Sequence, residues 1–289
     1  MDGKSLQQAI DLYDRFTHEG MDRREFFARM TLLAGSAAAA SSLIASIAAS
    51  PAAATIVPAA DKRLVTSKGP LSGTSGLSGY VAAKKGLKKA GVVMVVHENR
   101  GLTAHIEDVA RRMALEGFYV VAPDFLSPAG GTPANEDQAR EMIGKLDLAA
   151  AVASAITLAD DLKGRDHSNG KWGIVGFCWG GAFVNRVAVA AGGKLDAGVA
   201  YYGPAPAPAE AARVKAPLML HYAGLDARVA ETAIPWVAAL RQAGKKVNDY
   251  TYPDVNHAFN NDTSAERYNA AAAALAWKRT VEFFKVHLK

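Results

Sequence analysis

One cysteine, Cys178, stands among 289 residues. That excludes an internal disulfide, and in an oxidising compartment a lone thiol is either buried and inert or kept for its reactivity. Aromatic residues are few, and the formal charge of +5 is spread along the chain rather than gathered. Lys84, Lys85, Lys88 and Lys89 form the one dense basic group. Without interleaved aromatics it reads as a solvated turn, so no nucleic-acid partner is expected. No H-x-x-x-H or related ligand spacing occurs, so neither a metal nor a cofactor is expected.

Long runs of strongly apolar residues are also missing, and this bears on the N-terminus. Residues 21–54 read MDRREFFARMTLLAGSAAAASSLIASIAASPAAA. The paired Arg23 and Arg24, a span rich in Ala and Ser, and the small residues Ala52, Ala53 and Ala54 resemble a twin-arginine export signal with a cleavage site. So Ala/Ser-rich a span gains little in hydrocarbon, which disfavours a lasting membrane anchor. The expected organisation is therefore an export segment, 1–54, outside the fold, and one domain over 55–289. The expected location is periplasmic or secreted, with the export machinery as a partner and no stable membrane insertion after cleavage. The segment holds five basic and six acidic residues, leaving 28 Lys/Arg against 22 Asp/Glu in the remainder.

Some 235 residues suit a single α/β domain. The runs at 91–98, 118–124, 171–177, 197–203 and 217–224 are near-continuous apolar strands, and 247–253 is another strand. Helical spacing lies between them at 106–116, 180–191 and 230–243, and a closing helix covers 265–286. The pattern predicts a mostly parallel sheet flanked by helices, with ligands at the carboxyl edge of its strands.

The stretch VGFCWGGAF, 175–183, places Cys178 directly after one of these strands and just before a helix. Gly176-Phe177-Cys178-Trp179-Gly180 is the G-x-nucleophile-x-G elbow with cysteine at its centre. Glycines are needed because the sharp turn brings strand and helix backbones too close for Cβ atoms. The helix N-terminus would favour a thiolate and any developing oxyanion. In this fold the acid and the histidine follow the nucleophile in chain order. Asp226 comes directly after the strand at 217–224 and His257 follows the strand at 247–253, so both belong at the carboxyl edge. His257 would take the thiol proton, and Asp226 would fix its tautomer. Other candidates are weaker. His221 lies within a strand, His287 is near the C-terminus, His18 precedes the signal, and Asp254 is too close to His257 in sequence to reach behind it.

The stretches VVHENRGL (95–102), APDFL (122–126), VGFCWGG (175–181) and NHAF (256–259) together resemble the dienelactone hydrolase family of α/β-hydrolases. The resemblance implies that Cys178, Asp226 and His257 hold the triad positions and that Glu98 matches a glutamate beside the resting cysteine. A carboxylate there would restrain thiol ionisation and protect against oxidation. Taken alone, Glu98 could equally pair with Arg100 at the surface. The oxyanion hole would use the backbone N–H groups of Trp179 and Asn99. Members that cleave dienelactone hold its carboxylate with two arginines. Arg140 matches one of them, while the second position, four after His257, is Asn261. Arg100 is a possible substitute or a solvated rim residue. Two functions follow: a hydrolase opening a small ester or lactone through a cysteinyl thioester, or a non-catalytic binder of small molecules on the same scaffold.

Overall fold

The computed structural model describes residues 2–48, 55–71 and 76–289. Helices α1 (Gly3–His18), α2 (Arg23–Ala34) and α3 (Ala37–Ile47) come first. The sheet domain then runs β1 (Leu64–Pro70), β2 (Ser78–Lys84), β3 (Ala90–Val96), α4 (Ala104–Leu115), β4 (Tyr119–Asp124), α5 (Glu136–Gly144) and α6 (Leu148–Lys163). It continues through β5 (Ser168–Phe177), α7 (Trp179–Ala190), β6 (Ala197–Tyr201), β7 (Leu218–Ala223), α8 (Ala227–Gln242), β8 (Val247–Tyr252) and α9 (Ala270–His287).

The eight strands form one sheet in the order β1-β2-β4-β3-β5-β6-β7-β8. Only the pairings of β2 with β1 and with β4 are antiparallel; β4, β3, β5, β6, β7 and β8 are parallel to one another. Strand β3 explains the layering. Its side chains alternate, so Val93 and Val95 join a cluster with Ile106, Val109 and Met113 of α4 and Phe284 of α9. Val92, Met94 and Val96 join the opposite cluster with Leu158 of α6, Val184 of α7 and Trp236 of α8. A strand buried on both faces has no use for polar alternation, which is why these runs read as continuously apolar. The α/β-hydrolase architecture is thus as expected. Strands β1 and β2 and helices α5 and α6 were not anticipated. In β1 only Leu64 is buried and the other residues are half-buried or exposed, which leaves little hydrophobic signal.

Residues 3–47, expected to stand outside the fold, form three helices; Ala52, Ala53 and Ala54 lie outside the described residues. Asp2, Asp22 and Ser36 cap the three helices by accepting from Ser5, Arg24 and Ala39 N–H respectively. Gly35, at φ 82°, ends α2 in the left-handed conformation and splits the Ala/Ser-rich span into two helices bent by 104°. No single described helix is long and apolar enough to cross a membrane. Ile10 and Tyr13 of α1 instead pack on Phe26, Met30, Ala40 and Ile47 in a small core of their own, and Phe16 stacks on Phe26 at 4.1 Å. The two clusters on the sheet contain no residue before Val57, so the sheet domain owes none of its core to this segment.

Candidate active site

The four strand ends at one sheet edge deliver the candidate residues. Cys178 sits at φ 55°, ψ −113°, between β5 and α7. A non-glycine residue there is strained by about 1–3 kcal/mol, and such strain persists only where its surroundings enforce it. The glycines do so. A Cβ on Gly176 would stand 2.1 Å from the Gly180 carbonyl oxygen, one on Gly180 2.6 Å from those of Val96 and His97, and one on Gly181 2.4 Å from that of Tyr201. Cys178 N–H donates to the Tyr201 carbonyl at 3.0 Å, which anchors the turn to β6. Trp179 opens α7, so its N–H lacks an intrahelical acceptor.

Asp226 follows β7 and caps α8 by accepting from Val229 N–H at 3.1 Å. Its Oδ2 lies 2.6 Å from His257 Nδ1, and both residues are buried. Burial opposes charge on His257, but the Asp226 carboxylate and Cys178 outweigh it and lift the imidazole to about 10. Burial likewise opposes ionisation of Asp226, and His257 more than compensates, holding it below the usual carboxylate value. Each shift has the same origin: two opposite charges in one dry site stabilise each other. With Nδ1 engaged, His257 has Nε2 left, and this atom is buried without a hydrogen-bond partner.

Glu98, just beyond β3, lines the same small cavity as Cys178 and His257. Its Oε2 accepts from Asn261 Nδ2 at 2.8 Å, while Oε1 is buried without a partner. Asn261 Oδ1 in turn accepts from Thr263 N–H and Oγ1. Asn261, expected as a position in the substrate pocket, is a buried support for Glu98 with both ends of its amide hydrogen-bonded. Arg140 does not line the cavity; it pairs with Asp137 at 2.8 Å and lies over the Phe16 ring at 4.4 Å. Arg100 does line it, paired with Glu136 at 3.3 Å. His221 is a satisfied core residue, held between Tyr252 Oη and Thr280 Oγ1 and pushed down to about 3 by burial. Asp254 is exposed, as are the four lysines of the basic group.

His18, set aside on sequence, is in the site. Its Nε2 lies 3.1 Å from Cys178 Sγ, and its Nδ1 lies 2.8 Å from the Asp14 carbonyl. Burial, reinforced by the charge on His257, keeps His18 well below its ordinary value and neutral. The cavity between α1 and the domain is only about 20 Å³, room for about one water. Pockets for drug-sized ligands run to roughly 300–1,000 Å³. Donor atoms of His18, Cys178 and His257 lie within 4.8 Å of one another, a thiol and two imidazoles of the kind that suit a soft divalent metal. No spacing rule could have found them, since His18 and Cys178 are 160 residues apart.

The model of the dienelactone hydrolase family matches residues 77–288. The chain belongs to that family. A protein of Escherichia coli O157:H7, provisionally named carboxymethylenebutenolidase, is 33% identical over 259 residues, covering 82% of this chain and 92% of its own. A protein of Methylorubrum extorquens under the same provisional name is 34% identical over 215 residues, 67% of this chain and 71% of its own. Among solved structures, one provisionally named dienelactone hydrolase from Klebsiella pneumoniae superposes with a TM-score of 0.70 at 25% identity, covering 77% of this chain and 98% of that one. That structure thus aligns over nearly its whole length with about three quarters of this chain.

As a dienelactone hydrolase relative, the chain is a hydrolase, and one cleft residue was missed. Arg267 is buried against the cavity, ten positions after His257. Its Nε donates to the Ile47 carbonyl and Ser264 Oγ, and its Nη1 pairs with Asp14 at 3.3 Å. It follows no strand end and belongs to no quoted motif, so only its position in space marks it.

Proposed function

We propose that this dienelactone hydrolase relative cleaves a small ester or lactone through a thioester on Cys178. The convergence of a strained thiol, an imidazole and a buried carboxylate from three separate strand ends supports this reading. It favours catalysis over simple binding, because a binding scaffold needs neither the turn strain nor the Asp226–His257 pair. His257 takes the thiol proton, and the sulfur attacks the acyl carbon. The C–O bond to the leaving group then breaks, and the leaving oxygen takes the proton from His257. Water attacks the thioester next, giving its proton to His257 as the sulfur departs. The N–H groups of Trp179 and Asn99 are assigned to the developing oxyanion. Glu98, which lines the same cavity with Oε1 free of partners, restrains ionisation of the resting thiol through its like charge, and the thiol proton passes to His257 when substrate arrives.

Arg100 and Arg267 are the cations placed to meet a substrate carboxylate, in the role first assigned to Arg140 and the Asn261 position. In residues 55–289, Arg267→Gln is expected to lower kcat/KM for dienelactone relative to a neutral short-chain aryl ester by about tenfold, or 1.4 kcal/mol, the scale of one charge-assisted contact. An unchanged ratio would show that Arg267 does not meet the substrate.

We also propose that the chain is exported through its arginine pair. Arg23 and Arg24 are exposed, so a receptor can read them. Arg23→Lys with Arg24→Lys keeps the charge and removes the guanidinium forks. The doubly substituted chain is expected to stay in the cytoplasm, and fractionation showing undiminished periplasmic protein would refute the export reading.

A further inference from the structure

We propose that the catalytic cleft is a docking surface for helix α1 of the same chain, and that residues 3–47 act as an intramolecular inhibitor holding the enzyme closed. Residues 13, 14, 17 and 18 recur at helical spacing and so present one face of α1. Each meets a different group of the cleft. Tyr13 Oη accepts from Arg100, Asp14 pairs with Arg267, the Thr17 carbonyl accepts from Asn99 Nδ2, and His18 Nε2 contacts Cys178 Sγ. The nucleophile, one residue assigned to the oxyanion hole and both cleft cations are thus engaged at once.

The chemistry of these contacts is that of a substrate mimic. Asp14 offers Arg267 a carboxylate, as an acidic lactone would. His18, kept neutral, offers the thiol an acceptor in place of an acyl group. What remains is the cavity of about 20 Å³, too small for an ester. Further contacts fix the segment outside the cleft. Gln7 donates to Asn256, Ser264 donates to the Ile47 carbonyl, Arg23 pairs with Asp137, and Arg140 lies over Phe16. Because α1 is tethered to the domain, its effective concentration is on the order of millimolar, so even modest contacts keep the cleft filled.

The inference uses the hydrolase reading only for its activity readout; thiol access tests it independently. Cys178 is the only thiol in the chain, so alkylation by iodoacetamide reports on the cleft alone. In the full chain, Ile10→Asp places a charge inside the core that holds α1 to α2 and α3, without touching the sheet domain. It is expected to speed alkylation at least tenfold over wild type, with Ile10→Val matching wild type. Residues 55–289 should be alkylated as fast as the Asp variant, and adding residues 1–48 as a separate peptide should slow them again. If hydrolysis rises in parallel, α1 is the inhibitor of catalysis. If alkylation accelerates while no ester is cleaved by any form, the hydrolase reading fails and the cap stands. Equal alkylation rates in wild type, Ile10→Asp and residues 55–289 would overturn the cap.

Discussion

Cys178→Ala is expected to abolish ester hydrolysis, lowering kcat/KM at least about 10³-fold in residues 55–289, where α1 no longer fills the cleft. The elbow offers one reactive atom. Its neighbours are glycines, Phe177 and Trp179, so no other sulfur or hydroxyl stands on the turn. Cys178→Ser should retain little activity, because an alkoxide is harder to generate and the surrounding groups are matched to a thiol. The Ser variant keeps the polar atom on the same strained turn, so it separates loss of the nucleophile from loss of the elbow. Mass spectrometry of wild type quenched during turnover should find an acyl adduct on Cys178, absent in the Ala variant. Alanine protein that turns over like wild type would sink the covalent mechanism.

Asp226→Asn is expected to cost about 10²–10⁴-fold in kcat, comparable to losing the base altogether. The amide cannot hold the imidazole in the tautomer that leaves Nε2 free toward the thiol, nor stabilise an imidazolium. A pH signature separates this from simple misfolding. In the wild type the folded-state value of His257 is raised to about 10 against an ordinary 6.5. The stabilisation from this raised group is fully present below pH 6.5 and is lost as the pH climbs through about 10. The Asn variant removes the main cause of the shift, so its unfolding free energy should fall much less between pH 7 and 10 than that of the wild type. Chemical denaturation at several pH values checks it. Identical slopes in the two proteins would mean that Asp226 does not charge His257.

The positions of Cys178, Asp226 and His257 were legible because each sits where a local rule applies, whereas Glu98 rested on the family resemblance. The steric need for Gly176 and Gly180 is written in adjacent residues, and Asp226 and His257 follow strands that a parallel sheet must align at one edge. The roles of Arg140 and Asn261 were not legible. Motif position put both at the substrate, whereas packing turned Arg140 onto Phe16 and spent the Asn261 amide on Glu98. Arg267 carried no local signal at all.

The N-terminal segment marks the boundary most sharply. Its paired arginines and small residues are a message that can be read along the chain, and the export reading rests on them alone. Composition could not reveal that Gly35 and Ser36 split the apolar span, or that Tyr13, Asp14, Thr17 and His18 face a cleft built more than eighty residues downstream. A strand or an elbow is specified by neighbours a few residues away, so periodicity and glycine spacing determine it. A contact between His18 and Cys178 depends on how a helix bundle and a sheet edge fit together, and that complementarity exists only in the folded molecule.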